Sequence, residues 1–256
     1  MNGDYEFYSD GFFGFGPPGT FKPFTMMHFA PILLCILAVY FVWKKREWFR
    51  NWKGEVHFRY VLSVLMLIME FGFYIRLLYT GDPTGKFLMM GKIPIQVCDL
   101  GILVCMYMVT SKNKTLFGIN FFVTLFGASL ACIIPQAVLT EADPRYFRYY
   151  QYFGDHLIPI FSTIYMMIVH GMRPRYKDIW ISVGALACLL AVGLRLNDLY
   201  PKANYLFLRL NIPFLPENQY IRAVIYSVFI IAVFHLMWLF WNAGLKRSQK
   251  TKNAAV

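Results

Sequence analysis

Apolar residues run in seven long stretches along this chain, and polar and breaker residues gather between them. The stretches cover roughly 28–43, 57–79, 93–110, 116–139, 151–170, 179–199 and 220–242. Each approaches or exceeds the roughly 20 residues a helix needs to cross bilayer hydrocarbon. Unbroken apolar runs of this length predict helices rather than half-buried strands. The first is short, so its start is expected nearer Phe24. Turn chemistry separates them: Gly81-Asp82-Pro83, Ser111-Lys112-Asn113, Asp143-Pro144, Arg173-Pro174 and the Pro- and Asn-rich stretch 200–219. The pattern predicts an all-α, polytopic transmembrane helical bundle with seven spans. Residues 1–24 read as an extramembrane segment, 25–243 as the helical domain and 244–256 as a basic cytoplasmic tail. The 200–219 connection, with Tyr205-Leu206-Phe207-Leu208, is expected to pack back against the bundle.

Charge orients the bundle. The loops between spans 1 and 2, 3 and 4, and 5 and 6, together with the tail, carry fourteen Lys and Arg, from Lys44-Lys45-Arg46 to Lys250 and Lys252. The opposite loops carry seven, or eight with Arg222. Basic loops stay cytoplasmic, so the N-terminus is expected outside and the C-terminus inside. The net charge of +11 therefore reflects topology and anionic lipid rather than nucleic acid, which is not an expected partner. Composition agrees with the membrane reading: 58% of residues are hydrophobic, and 15% are charged against about 25% in soluble domains. Tyr, Trp and Phe at the ends of the runs suit interfacial belts. The five cysteines lie inside apolar runs without CxxC spacing, so no disulfide framework is expected, and the N-terminus lacks the basic region of a cleavable signal.

Polar side chains inside such spans are costly and face the bundle interior or a cavity. Here they gather at one depth. Span 3 opens with Ile93-Pro94-Ile95-Gln96-Val97-Cys98-Asp99, which places Cys98 about 8 Å below the start of that helix. Gln136 lies near the outer end of span 4, and Asp155 and His156 lie one to two turns into span 5. Arg195, Asn197 and Asp198 close span 6, with Asn204 beyond, and Glu70 and Arg76 lie on span 2. The inner halves of these spans are mostly plain hydrocarbon.

A cysteine and a histidine at matching depth on different helices form a minimal nucleophile and base. Apolar surroundings disfavour a thiolate, and an adjacent imidazole relieves this by accepting the proton. The thiolate can then hold an acyl group as a thioester until a second hydroxyl takes it. Gln136, Gln96 or Asn204 can donate to the developing oxyanion. Asp155 and Asp99 point about 100° away from their neighbours His156 and Cys98, so neither is a natural orienter of His156. Each feature also has a plainer reading. Cysteines are commonly small apolar filler, the default for Cys35, Cys105 and Cys188. His156 alone suits a helix-to-helix hydrogen bond, Glu70 can pair with Arg76, and Arg195 can pair with Asp198. His28, His57, His170 and His235 are read as structural. A Cys98 sulfur about 3–4 Å from a His156 ring nitrogen supports the catalytic pair, with looser geometry allowed in the resting protein.

The segment Ile93-Pro94-Ile95-Gln96-Val97-Cys98-Asp99-Leu100 resembles the "LPLHLCD" signature of the YwaF-like bacterial membrane proteins. Glu70 with Arg76 and Leu77, Pro135-Gln136-Ala137-Val138-Leu139-Thr140, Phe147 through Phe153, His156, and Asn204-Tyr205-Leu206-Phe207-Leu208 extend the likeness, in order, over roughly residues 28–242. This group is similar to the animal transmembrane protein 164 family, which resembles cysteine-dependent acyltransferases that remodel ether phospholipids. The resemblance implies a multi-pass protein of a bacterial cell membrane. It implies acyl transfer between phospholipid and lysophospholipid without coenzyme A or another cofactor, with Cys98 as nucleophile and His156 as base. Gln96 stands where the signature has histidine, so that histidine's role is absent or moved.

Two other classes remain open at this stage. A metal-dependent seven-span lipid hydrolase needs three protein ligands, for which His156, Asp155, Glu70 or Cys98 are candidates, although no HxxxH pair occurs. A non-enzymatic, outward-facing binding protein, sensor or transporter also suits one outer polar pocket.

Overall fold

The computed structural model describes residues 11–14, 21–79, 95–135, 143–200, 203–210 and 212–253. Its regular structure there is all helical. The helices are α1 (Met26–Lys44), α2 (Arg46–Asn51), α3 (Glu55–Tyr79), α4 (Val97–Ser111), α5 (Lys114–Ile119), α6 (Leu125–Ile133), α7 (Phe147–Ile168), α8 (Tyr176–Leu199) and α9 (Gln219–Asn253). A π-helical stretch, Asn120–Thr124, joins α5 to α6 so that one continuous rod runs from Lys114 to Ile133. Asn120 and Thr124 close this bulge internally, with Thr124 Oγ1 donating to Asn120 Oδ1 at 2.8 Å.

Five of these helical segments are long and apolar enough to cross a membrane: Met26–Lys44, Glu55–Arg76, Lys114–Ile133, Tyr176–Leu199 and Gln219–Gly244. Val97–Ser111 is a shorter apolar helix. Their outward faces carry what lipid tolerates: Leu33, Leu34 and Leu37 on α1, Val61, Val64 and Ile68 on α3, and Val224, Val228 and Phe240 on α9 are all exposed. An apolar exterior of this extent would aggregate in water and is at home in hydrocarbon.

α7 is built differently. It packs against α1, α3, α4 and α6 and buries eleven residues, including Gln151, Tyr152, His156, Ser162 and Thr163. A helix sheathed by other helices needs no lipid-facing surface, so it can carry polar groups that α1 or α9 cannot. Packing there is close. A Cβ on Gly72 of α3 would lie 2.6 Å from the Phe147 ring, and one on Gly154 of α7 would lie 2.7 Å from the Met69 side chain. Small residues let these backbones approach.

The sequence places the boundaries within a turn or so, with three differences. α4 starts at Val97 rather than 93, because the Asp99 carboxylate accepts the Gln96 N–H at 3.1 Å and caps the helix there. α7 starts at Phe147 rather than 151. Asp143 and Arg145 make a tight turn before it, with Tyr146 N–H donating to Asp143 O at 2.9 Å and Arg145 N–H to Asp143 Oδ1 at 2.8 Å. The Arg145 guanidinium bonds to the same carboxyl and keeps it below the usual carboxylate range. Residues 244–253 of the expected tail continue α9. The expected end of span 4 beyond Pro135 lies outside the described residues.

Gly118 holds α5 against α8. A Cβ there would lie 2.4 Å from Cγ of Asp178, which is fully buried and accepts both the Arg175 N–H and its guanidinium. Gly118→Ala is expected to cost about 1–3 kcal/mol. A thermal melt in detergent checks this, and Gly127→Ala, where a Cβ meets open space, should leave the midpoint unchanged.

Candidate functional site

The C-terminal half of α3, the start of α4 and the N-terminal half of α7 gather at the end of the bundle that carries the turn 203–210. Cys98 is the second residue of α4, so it stands in the first helical turn rather than about 8 Å below the helix start, as the sequence suggested. The signal that locates it is the Gln96-x-x-Asp99 spacing, a capping pattern. The N–H groups of a first turn have no carbonyl within their own helix, and the helix dipole presents its positive end there. The thiol is free. It lies within electrostatic reach of the Asp99, Asp155 and Glu70 carboxyls.

His156 is buried on α7, its Nδ1 2.7 Å from the Tyr152 carbonyl one turn back. Only a protonated Nδ1 can donate to that oxygen, so the bond selects the tautomer whose Nε2 carries the lone pair. The Tyr152 ring lies 4.6 Å from the imidazole, centroid to centroid. Its hydroxyl donates to Ala131 O at 2.7 Å, and it is within electrostatic reach of both Cys98 and Cys132. Tyr152 thus neighbours both candidates. No hydrogen bond joins Cys98 to His156 among the described residues, so the resting protein lacks the direct contact set out above. Tyr152 is one of the aromatic residues at the ends of the apolar runs, which suit an interfacial belt. Its position four residues before His156, on the same helix face, marks it as a neighbour.

Glu70 and Asp155 follow Met69 and Gly154, which meet where α3 packs on α7. Glu70 Oε1 and Asp155 Oδ1 are both buried without a hydrogen-bond partner among the described residues. Glu70 forms no ion pair with Arg76. Instead the Arg76 guanidinium donates to Phe13 O at 3.0 Å and Gly14 O at 2.9 Å, tying the segment 11–14 to α3. Phe12 and Phe13 pack there against Phe147.

Gln96 and Asn204 serve the turn. Gln96 Oε1 accepts the Leu206 N–H at 2.8 Å, its amide donates to Asn204 O at 3.3 Å, and Asn204 Oδ1 accepts the Arg209 N–H at 2.8 Å. Asn197 of α8 completes the clamp, accepting the Tyr205 N–H at 2.8 Å and donating to its carbonyl at 3.2 Å. These bonds hold Leu206 and Phe207 at φ of 58° and 56°, the left-handed region that non-glycine residues occupy only under constraint. Asp198 accepts from Gln219 and Tyr220 of α9, both at 2.7 Å. Gln136 lies outside the described residues. Gln96→Ala is expected to loosen this turn, seen as faster amide exchange at Tyr205 and Leu206 with little change at the core of α7.

Other polar groups have structural work. His28 Nε2 reaches Cys132 O at 2.5 Å and its Nδ1 accepts the Phe24 N–H at 3.1 Å, joining α1 to α6. Cys105 is fully buried, its Sγ 3.8 Å from Pro159 O. Among the described residues no three His, Cys, Asp or Glu side chains converge as metal ligands, so the described part of this site offers no donor set for the metal-dependent alternative.

Comparison with known proteins gives one family. Neither a curated protein nor a solved structure matches the chain. The family model described as "TMEM164 family" matches residues 20–241. With most of its length matched and several membrane-crossing helices, this multi-pass membrane protein belongs to the TMEM164 family.

Proposed function

We propose that the chain is a phospholipid acyltransferase of transacylase type, working through an acyl-thioester on Cys98. In this reading α1, α3, α4, the α5–α6 rod, α7, α8 and α9 form seven spans, with the N-terminus outside and the basic loops inside. The site then lies in the outer leaflet.

One observation carries the reading: Cys98 occupies the first turn of α4, where the N–H groups that capping leaves over and the positive end of the helix dipole suit an oxyanion. His156 supports it through the tautomer that leaves Nε2 basic. Nε2 takes the thiol proton, and sulfur attacks the ester carbonyl carbon of a donor phospholipid. The tetrahedral oxyanion is met by first-turn N–H groups, a role earlier considered for Gln96 and Asn204, whose bonds serve the turn. The carbon–oxygen bond breaks, the imidazolium protonates the departing lysophospholipid oxygen, and the acyl group remains on sulfur. The acceptor's hydroxyl then gives its proton to His156 Nε2 and attacks the thioester, releasing the thiol. Each half uses the same base, and no electrons are exchanged with a redox partner. The missing contact between Cys98 and His156 closes on substrate binding, as resting catalytic hydrogen bonds often do.

Purified protein in vesicles of labelled phospholipid and unlabelled lysophospholipid should move label to the acceptor. His156→Gln should reduce the rate by roughly 10²–10⁴. Wild-type protein without label transfer under these conditions contradicts the reading.

A further inference from the structure

At the end of the bundle that carries the basic loops, remote from Cys98, a cavity of about 370 Å³ opens between α1, α2, α7 and α9. Ile164, Met167 and Ile168 of α7 make its apolar floor, Trp43 and Trp241 its aromatic sides, and Arg46, Arg50 and Arg173 its rim. From this arrangement we infer a binding site for one anionic phospholipid, its phosphate held by the guanidiniums and an acyl chain lying along α7.

The guanidiniums are already fixed. Arg50 donates to Val169 O at 3.1 Å, Ile168 O at 2.8 Å and Glu47 Oε1 at 2.7 Å. Arg173 donates to Met167 O at 3.1 Å and Met172 O at 3.2 Å, and lies 5.3 Å from the Trp241 ring centroid. Arg46 donates to Trp43 O at 3.3 Å. Each guanidinium has five N–H groups, so all three keep donors beyond these bonds. Binding an anion therefore immobilises little that is not already held.

Charge points the same way. Three guanidiniums face one carboxylate, Glu47, and the C-terminal end of α7, which counts as about half a negative charge. The remainder is about +1.5, enough to match the single charge of a phosphodiester. Trp241, which lines the same cavity, carries a buried Nε1–H with no hydrogen-bond partner among the described residues. A soluble phosphate would use the rim and leave the floor uncovered, whereas a lipid fills both. Basic pockets between transmembrane helices are suited to such headgroups.

The test uses the full-length protein in nanodiscs of phosphatidylcholine with an increasing fraction of phosphatidylglycerol, read by thermal unfolding and by native mass spectrometry. Wild type should retain phosphatidylglycerol in preference to phosphatidylcholine and melt higher as its fraction rises. Arg46→Gln/Arg173→Gln should lower that preference roughly tenfold. Lys114→Gln/Lys177→Gln, which removes equal charge from the same end outside the cavity, should not. Because the readout is the difference between the two lipids, any general loss of stability in the arginine variant cancels. Glycerophosphate without acyl chains should neither bind nor protect; if it does so as well as the lipid, the occupant is a free phosphate. Equal losses in the two double variants, or full preference retained without Arg46 and Arg173, overturn the site. None of these outcomes depends on whether Cys98 is a nucleophile.

Discussion

Cys98→Ala should abolish acyl transfer while leaving the protein folded, a loss on the order of 10³ or more in rate. The side chain is half-buried in the first turn of α4, and the described hydrogen bonds give its sulfur no partner to lose. Removing one sulfur there should cost little stability, so the melting temperature separates a chemical defect from a folding one. Cys98→Ser should be nearly as inactive, because a hydroxyl is far harder to ionise beside that helix terminus than a thiol. Cys105→Ala and Cys132→Ala are informative controls: both thiols are buried and neither belongs to the mechanism. They should lower stability and keep turnover. Full activity in the Cys98→Ala protein would leave only the membrane fold standing.

The largest effect on stability should come from the opposite end of the bundle. Arg59 on α3 is 4% exposed and donates to both oxygens of Glu55, at 3.0 and 3.1 Å. It also donates to the carbonyls of Val109 at 2.7 Å and Thr110 at 2.9 Å, which end α4. Glu55 Oε1 in turn accepts from Tyr165 OH at 3.1 Å and His170 Nε2 at 2.6 Å. The cluster joins α3, α4 and α7 around the buried Glu55–Arg59 ion pair. Arg59→Met leaves Glu55 buried without its cation and is expected to cost about 3–5 kcal/mol. Glu55→Gln/Arg59→Met removes both charges and should recover much of that loss. A detergent melting series over the two single variants and the double measures it. Strict additivity would mean that the pair does not act as a unit.

Much of the architecture was legible in the chain, because membrane helices must be apolar outside and satisfy their own backbone. Runs such as 179–199 and 220–242 mark α8 and α9 with little ambiguity. α7 is the instructive exception. Its run 151–170 reads as a span in the sequence, yet Asp155 and His156 lower its apolarity, and only the contacts around it explain why that is tolerated.

The site was legible in its parts and less so in its roles. Cys98, His156 and Asp155 stood out as polar groups at one depth, with Glu70 deeper, and the structure sets the thiol within electrostatic reach of Glu70 and Asp155 and makes Tyr152 a neighbour of both Cys98 and His156. Gln96 and Asn204 looked like free amide donors, and only tertiary structure reveals that both hold the turn at Leu206. Arg76 likewise binds carbonyls from residues more than sixty positions away, a pairing that no local pattern encodes. The cluster of Glu55, Arg59, Tyr165 and His170 draws on positions up to 115 apart in the chain, so no local pattern groups its members.

Intact-protein mass spectrometry after incubation with phospholipid and no acceptor tests the central claim most directly. The account predicts one added acyl mass, mapped to Cys98, removed by neutral hydroxylamine as a thioester and discharged when lysophospholipid is supplied. A protein that transfers acyl chains while Cys98 stays unmodified, or that carries the acyl group on another residue, would contradict it.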